Sequence, residues 1–193
     1  MIRFMPPTDS EPRVGDVLLS EPFLDDPYFG RKAVLICEHN EEGTFGFVLN
    51  NFIAIEMQDL MDDFPDFDAR LSVGGPVKSS SLYYLHTRPD LLEGSIEVVD
   101  GVHMGGAFEQ VIECLKAKTL TAHEIRFFIG YSGWSGSQLN DEIKSRSWFV
   151  TETDRHLIMD TSLEEEDVWK HLVSTLGDEY AHIANTPPNP SVN

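Results

Sequence analysis

Three glycines spaced three apart, Gly130, Gly133 and Gly136, are threaded with Tyr131, Trp134 and serines between an apolar run and a helical stripe. Ordinary packing does not ask for that spacing, so something must come close to this backbone. Upstream, Ile125, Phe127, Phe128 and Ile129 read as a buried strand, while downstream Leu139 and Ile143 stand at i and i+4 of a helix. The segment from Gly130 to Leu139 is therefore read as a strand-to-helix elbow. An elbow of this kind either presents backbone N–H groups to a ligand or turns a tight corner.

Catalytic readings fare poorly. A nucleophile elbow needs G-x-S-x-G between strand and helix. In Gly133-Trp134-Ser135-Gly136-Ser137 the serine is in place, but Gly136 comes one position early and Ser137 stands where the last glycine belongs. The acid and histidine that follow, Asp154 and His156, lie two residues apart on a segment predicted as a strand, an arrangement that does not suit a triad. An anion cradle built from N–H groups near Ser137 and the hydroxyls of Ser135 and Ser137 is chemically better. It lacks the G-K-[ST] ending of a phosphate loop and has few cations nearby.

The seven histidines form no i, i+4 pair, and His123-Glu124 opens like H-E-x-x-H only to meet Phe127 at the second histidine position. Neither a metal nor a cofactor is expected. The acidic stretch holding Asp59, Asp62, Asp63, Asp66 and Asp68 lacks the spacing of a calcium loop and reads as a solvated surface, with a docking patch as the sharper alternative.

Fourteen Lys and Arg against thirty-three Asp and Glu give a formal net charge of −19. Nucleic-acid affinity rests largely on cations that neutralise phosphates, so this balance argues against direct DNA binding. Two cysteines, Cys37 and Cys114, outside any C-x-x-C pair fit a reducing, cytoplasmic setting. No apolar run approaches membrane-spanning length, and Met1 to Pro12 lacks the apolar stretch of a secretory signal.

A chain of 193 residues supports one core-bearing domain, taken as 13–186, between flexible ends at 1–12 and 187–193. Strands are predicted at Asp16–Leu19, Lys32–His39, Thr44–Asn50, Leu71–Val73, Ser81–His86, Ile96–Val99, Glu124–Tyr131, Ser147–Thr151 and Arg155–Ile158. Helices are predicted at Ala107–Lys116, Leu163–Leu176, Ser137–Lys144 and near Glu56–Met61, with Ser162 and Glu165 spaced as a capping box. Their irregular alternation points to an α+β fold.

The strands flanking Asn40-Glu41-Glu42-Gly43 form a hairpin. If His39 pairs with Thr44, Asn50 falls near Ala33, which sets His39 and Asn50 roughly 20 Å apart at strand rise. Cys37 shares a strand face with His39, so a Cys-His dyad is sterically conceivable, and a buried cysteine acting as a small hydrophobe is the plainer reading. Gly74-Gly75-Pro76-Val77 marks another obligatory turn. Two glycine-rich turns and a polar-ended hairpin could converge on one cleft.

Taken in order, Gly15-Asp16-Val17-Leu18-Leu19, the stretch from Phe29 to His39, Gly46-Phe47-Val48-Leu49-Asn50, Gly74-Gly75-Pro76-Val77 and Gly130-Tyr131-Ser132-Gly133-Trp134 closely resemble the YqgE/AlgH family of bacterial proteins. The resemblance covers nearly the whole chain. It implies a mixed α+β fold whose branched β-sheet curls into a flattened pseudo-barrel with helices packed outside. Family members are described as uncharacterised or as suspected transcriptional regulators, and the resemblance brings no enzymatic activity. Where the family reads G-Q-L after the elbow, this chain has Ser137-Gln138-Leu139.

Residues matching the family pattern are His39, Asn50, Gly74, Gly75, Pro76, Tyr131, Gly133, Trp134, Gln138, Leu139, Glu142 and Trp148. They form a candidate functional surface and not a catalytic set. The leading expectation is a non-enzymatic protein acting on a protein partner or small ligand, and the alternative is an enzyme or phosphate-binding protein using the elbow as an anion site.

Overall fold

One long strand organises the chain. The computed structural model describes residues 11–186; of the ends read as flexible, 1–12 and 187–193, all but residues 11 and 12 lie outside the described residues. Along the chain run β1 (Val17–Ser20), β2 (Ala33–Asn40), β3 (Gly43–Val48), β4 (Phe52–Ile53), α1 (Met57–Leu60), β5 (Leu71–Val73), β6 (Val77–His86), β7 (Ile96–Val99) and β8 (Val102–Met104). Then come α2 (Phe108–Lys116), β9 (Ile125–Ser135), α3 (Gln138–Lys144), β10 (Trp148–Thr151), α4 (Arg155–Met159), α5 (Glu165–Thr175) and α6 (Ala181–Ala184).

The sheet runs β10-β1-β2-β3-β9-β6-β8-β7, and β9 makes it branch. On one edge β9 pairs along β6, from His86↔Ile125 to Val77↔Tyr131. On the other edge its first half takes β5 in parallel at Phe128 and Ile129, and its second half takes β3 antiparallel from Ser132 to Ser135. Strands β10 and β7 at the two ends do not pair, yet Gly15, just before β1, lies so near β7 that an added Cβ would stand 2.9 Å from the Val98 carbonyl. The branched α+β sheet thus curls towards itself without closing into a barrel, with helices packed outside.

Alternation along β9 builds three cores. Phe128 faces the main core with Phe47, Leu35, Phe149 and Trp169, under α5 and α6. Ile125 and Phe127 face a second one, under α2, where Phe64 and Phe67 pack on Phe127 at 5.6 and 5.1 Å between ring centroids. Those two phenylalanines are therefore core, not part of an exposed acidic docking patch. Trp134 belongs to a third cluster with Leu139, Ile143 and Trp148, under α3. Gly130, at φ +66, reverses the alternation: before it even-numbered residues face the main core, and after it Tyr131 does.

Arg126 sits in this apolar strand with 1% of its surface exposed and, among the described residues, no ion pair with a carboxylate. Its guanidinium donates to the carbonyls of Leu49 and Ile158 and, at 3.0 Å, to Ser72 Oγ, tying the end of β3, β5 and α4 together. Burial pulls its pKa down to about 9, still above neutrality, so a charged fork holds three chain segments.

Four sequence expectations need correction. Residues Arg155–Ile158 form helix α4, not a strand, because Asp154 accepts from the amides of His156 and Leu157 at 2.8 and 3.1 Å and nucleates a turn. The Ser162–Glu165 capping box does not form: Ser162 turns back to Asp160 Oδ1 through both its N–H and its hydroxyl, and Glu164 takes the cap position. The strand predicted to end at Tyr131 continues to Ser135, so the corner lies at Gly136-Ser137 and not at Gly130. Strand β6 begins at Val77, four residues earlier than its apolar pattern suggests.

Candidate functional site

The twelve candidate residues fall into separate places. Gly74 and Gly75 lie buried where β5 gives way to β3 alongside β9. A Cβ on Gly74 would stand 2.4 Å from the Gly130 carbonyl oxygen, one on Gly75 2.3 Å from the Tyr131 carbonyl carbon, and one on Gly130 2.7 Å from the Gly75 oxygen. What approaches the glycine-rich backbone is therefore the chain's other glycine-rich turn. The Gly74 carbonyl seals the branch by accepting from Val48 N at 2.9 Å and Ser132 Oγ at 3.0 Å. The two turns converge as expected, but in the interior, and of this group only Pro76 is exposed.

Trp134, Gln138, Leu139, Glu142 and Trp148 make a second group, around α3. Both indoles donate to Glu142 Oε2 at 2.8 Å, and Gln138 Nε2 donates to Glu142 Oε1 at 2.9 Å. Gln138 Oε1 in turn accepts from Ser135 N at 3.2 Å. Leu139 is buried beneath them. Every member of the polar group is engaged by another, so it clamps the corner of β9 onto α3 and β10.

His39 and Asn50 lie at opposite ends of the hairpin, as its register requires. His39 pairs with Thr44, and its Nδ1 lies 2.7 Å from Thr44 Oγ1. Asn50 accepts from Ala33 N at 2.8 Å and donates to the carbonyls of Arg31 and Glu165, both at 2.9 Å. No His39–Asn50 pair exists. The Cys37 thiol is buried, its pKa raised by desolvation, and it lies 3.8 Å from the Leu35 carbonyl, which favours the hydrophobe over a Cys-His dyad.

The open part of the elbow is a groove of about 460 Å³ on one face of β2, β3 and β9. Cross-strand pairing of Glu38 with Phe45 and of Phe45 with Gly133 lines these residues up on that face. The floor is Phe45 against Tyr131, ring centroids 4.6 Å apart, with Tyr83 behind them at 5.7 and 5.8 Å. Gly133 leaves room for Tyr131 to lie across the sheet: its added Cβ would meet Tyr131 Cε2 at 3.1 Å. Glu38 and Glu42 form the rim, both exposed, and neither joins an ion pair among the described residues. Glu38, Glu42 and Phe45 were missed in the sequence, although hairpin pairing carried forward from His39↔Thr44 sets Glu38 beside Phe45.

An anion site at the corner finds little support. The amide of Ser135 is engaged by Gln138 and that of Gly136 by the Glu42 carbonyl at 3.0 Å. Asp141 and Glu142 border the same surface. Among the described residues there is no group of three His, Cys, Asp or Glu able to hold a metal ion.

A curled, branched α+β sheet carrying a clamped Trp corner and an acidic, aromatic-floored groove is the class of protein this structure defines. The chain belongs to the AlgH-like family, whose model matches residues 17–181. A UPF0301 protein of Chlorobaculum tepidum is 37% identical over 179 residues, covering 93% of this chain and 95% of that one. A UPF0301 protein of Cytophaga hutchinsonii is 34% identical, covering 93% and 98%. In three dimensions the chain is similar to the crystal structure of DIP2367 from Corynebacterium diphtheriae, with a TM-score of 0.76, 22% identity, and 92% and 94% of the two chains covered. It is also similar to the solution structure of the AlgH protein from Pseudomonas aeruginosa, with a TM-score of 0.67, 23% identity, and 86% and 92% covered. At these identities the two structures speak for the fold alone. No helix among the described residues is long and apolar enough to cross a membrane.

Proposed function

We propose that this protein is a non-enzymatic binding module whose groove between the β2–β3 hairpin and β9 receives a basic segment of a protein partner. The observation that carries the reading is the pairing of an aromatic floor, Phe45 and Tyr131, with the rim carboxylates Glu38 and Glu42, which join no ion pair among the described residues. Guanidinium and ammonium groups favour such a surface twice over, through the ring faces and through the carboxylates. The net charge of −19 draws the same partners from a distance and repels DNA. A cytoplasmic setting suits a chain with two unpaired thiols, Cys37 and Cys114.

A direct test is calorimetric titration with an arginine- and lysine-rich peptide against its glutamate-rich counterpart. The basic peptide binds, and Glu38→Gln/Glu42→Gln weakens it about tenfold or more, whereas Asp62→Asn/Asp63→Asn in the acidic stretch leaves it nearly unchanged. Equal loss in both double variants makes the attraction a matter of net charge and removes the groove from it. DNA binding by the purified protein with a steep salt dependence would reverse the reading in favour of direct transcriptional control.

A further inference from the structure

At the end of the β2–β3 hairpin away from its turn, a second recess of about 270 Å³ is bordered by Pro22, Leu24, Arg31 and Trp169, and also by Glu165 and Glu166. Its hydrogen-bonding groups are unbalanced. Trp169 is 1% exposed and its indole N–H has no acceptor among the described residues; Arg31 Nε is likewise buried without one among them. The Arg31 guanidinium lies over the Trp169 ring, 5.0 Å from its centroid, held there by a 2.6 Å bond from its Nη2 to the Thr186 carbonyl.

The acceptors around the recess are already engaged. Lys32 Nζ donates to the Asn50 carbonyl at 2.7 Å and to Glu165 Oε2 at 3.0 Å, while Glu165 Oε1 takes the Phe52 amide at 2.7 Å. Asn50 Oδ1 takes the Ala33 amide at 2.8 Å, and Glu166 pairs with Lys170 at 2.9 Å. Buried donors without partners are costly, and native proteins rarely keep two beside one space. Arg31 is also held at φ +52, a strained conformation for a side-chain-bearing residue and one that clusters at ligand sites.

We propose that this recess binds a small organic acid. Its carboxylate accepts from Arg31 and the Trp169 indole, and its apolar body lies against Pro22, Leu24 and the Trp169 ring. The volume of about 270 Å³ leaves room for an acid the size of phenylacetate. The recess is distinct from the groove between the hairpin and β9, so the two readings stand or fall separately.

The test titrates the full chain with phenylacetate, with 2-phenylethanol as the uncharged analogue and inorganic phosphate as an anion without an apolar body. Indole N–H resonances of the three tryptophans are followed by NMR. Phenylacetate is expected to shift the Trp169 indole saturably, leaving those of Trp134 and Trp148, both bonded to Glu142, in place. It should bind about tenfold or more tightly than the alcohol, a difference that a charge-assisted bond supports. Trp169→Phe keeps the ring and loses the donor, so affinity falls severalfold; Arg31→Gln abolishes the preference for acid over alcohol. A Trp169 resonance unmoved by phenylacetate overturns the proposal without recourse to any variant. So does equal affinity for acid and alcohol, or saturation by phosphate alone.

Discussion

Trp134 and Trp148 cross edge to face, 5.6 Å between ring centroids, and donate to one and the same oxygen of Glu142. Phe29 completes the cluster, edge-on to Trp148 at 5.3 Å. A carboxylate shared by two buried indoles fixes both rotamers at once. Glu142→Ala strands two donors and should lower unfolding free energy by about 2–4 kcal/mol in urea titration followed by tryptophan fluorescence. Glu142→Gln keeps an acceptor oxygen and should lose less than half as much. Equal losses for both variants would place the stabilisation in packing and not in the shared hydrogen bonds.

Glycines in the same motif should behave in opposite ways. Gly75→Ala forces a methyl into the Tyr131 carbonyl and should cost about 4 kcal/mol or prevent folding, since backbone cannot yield as a flexible side chain can. Gly136, at φ +41, has nothing within 4 Å of an added Cβ, so Gly136→Ala should cost only the left-handed penalty of about 1–2 kcal/mol. Thermal midpoints of the two variants measured side by side decide the matter.

His86 gives the fold an acid sensitivity. It is buried on β6, with Nε2 3.0 Å from the Gly105 carbonyl and Nδ1 accepting the Arg88 amide at 3.1 Å, so the neutral tautomer fills both positions. Desolvation above all, with the stacked His103 beside it, holds its pKa below the ordinary 6.5, while the Gly105 carbonyl and Asp90 act the other way. In the window below about 6.5 the unfolded chain therefore binds the proton more readily than the folded one, and stability falls as pH is lowered. His86→Gln, which can donate and accept without titrating, should flatten that slope in denaturant titrations run from neutral to mildly acidic pH. An unchanged slope assigns the acid loss to other groups.

Removing Arg126 should loosen three segments together. Arg126→Met leaves the Leu49 and Ile158 carbonyls without their donor, at a cost of about 2–5 kcal/mol, and hydrogen exchange should quicken in α4 as well as at the end of β3. Faster exchange confined to β9 would show that the fork does not tie those segments.

Local chemistry made much of this legible. The Asn40–Gly43 turn fixed the hairpin register, and with it the separation of His39 from Asn50. The helix predicted at Ala107–Lys116, where Phe108, Val111, Ile112 and Leu115 recur on one face, matches α2 nearly to the residue. Non-local pairing decided the rest. Gly130 and Gly133 look like an elbow because glycines usually end strands, whereas here they admit Gly75 and Tyr131, contacts made by residues distant in sequence or folded back over the strand. Arg155–Ile158 is too short for its apolar pattern to separate strand from helix, and the Asp154 cap decides it. Arg126 did leave a trace: a lone cation amid Ile125, Phe127, Phe128 and Ile129 announces buried carbonyls in need of a donor.

Because β9 is a wall of all three cores, the order of synthesis matters. A nascent chain that has emerged only as far as β8 holds the β1–β2–β3 strands, the β5 branch and the β6–β8 strands as pieces still missing their common neighbour. Each presents apolar surface until residues 125–135 arrive, and with them the glycines that let the pieces meet. For the growing chain, that makes the interval before β9 leaves the ribosome the time of greatest exposure to chaperones and to misassociation.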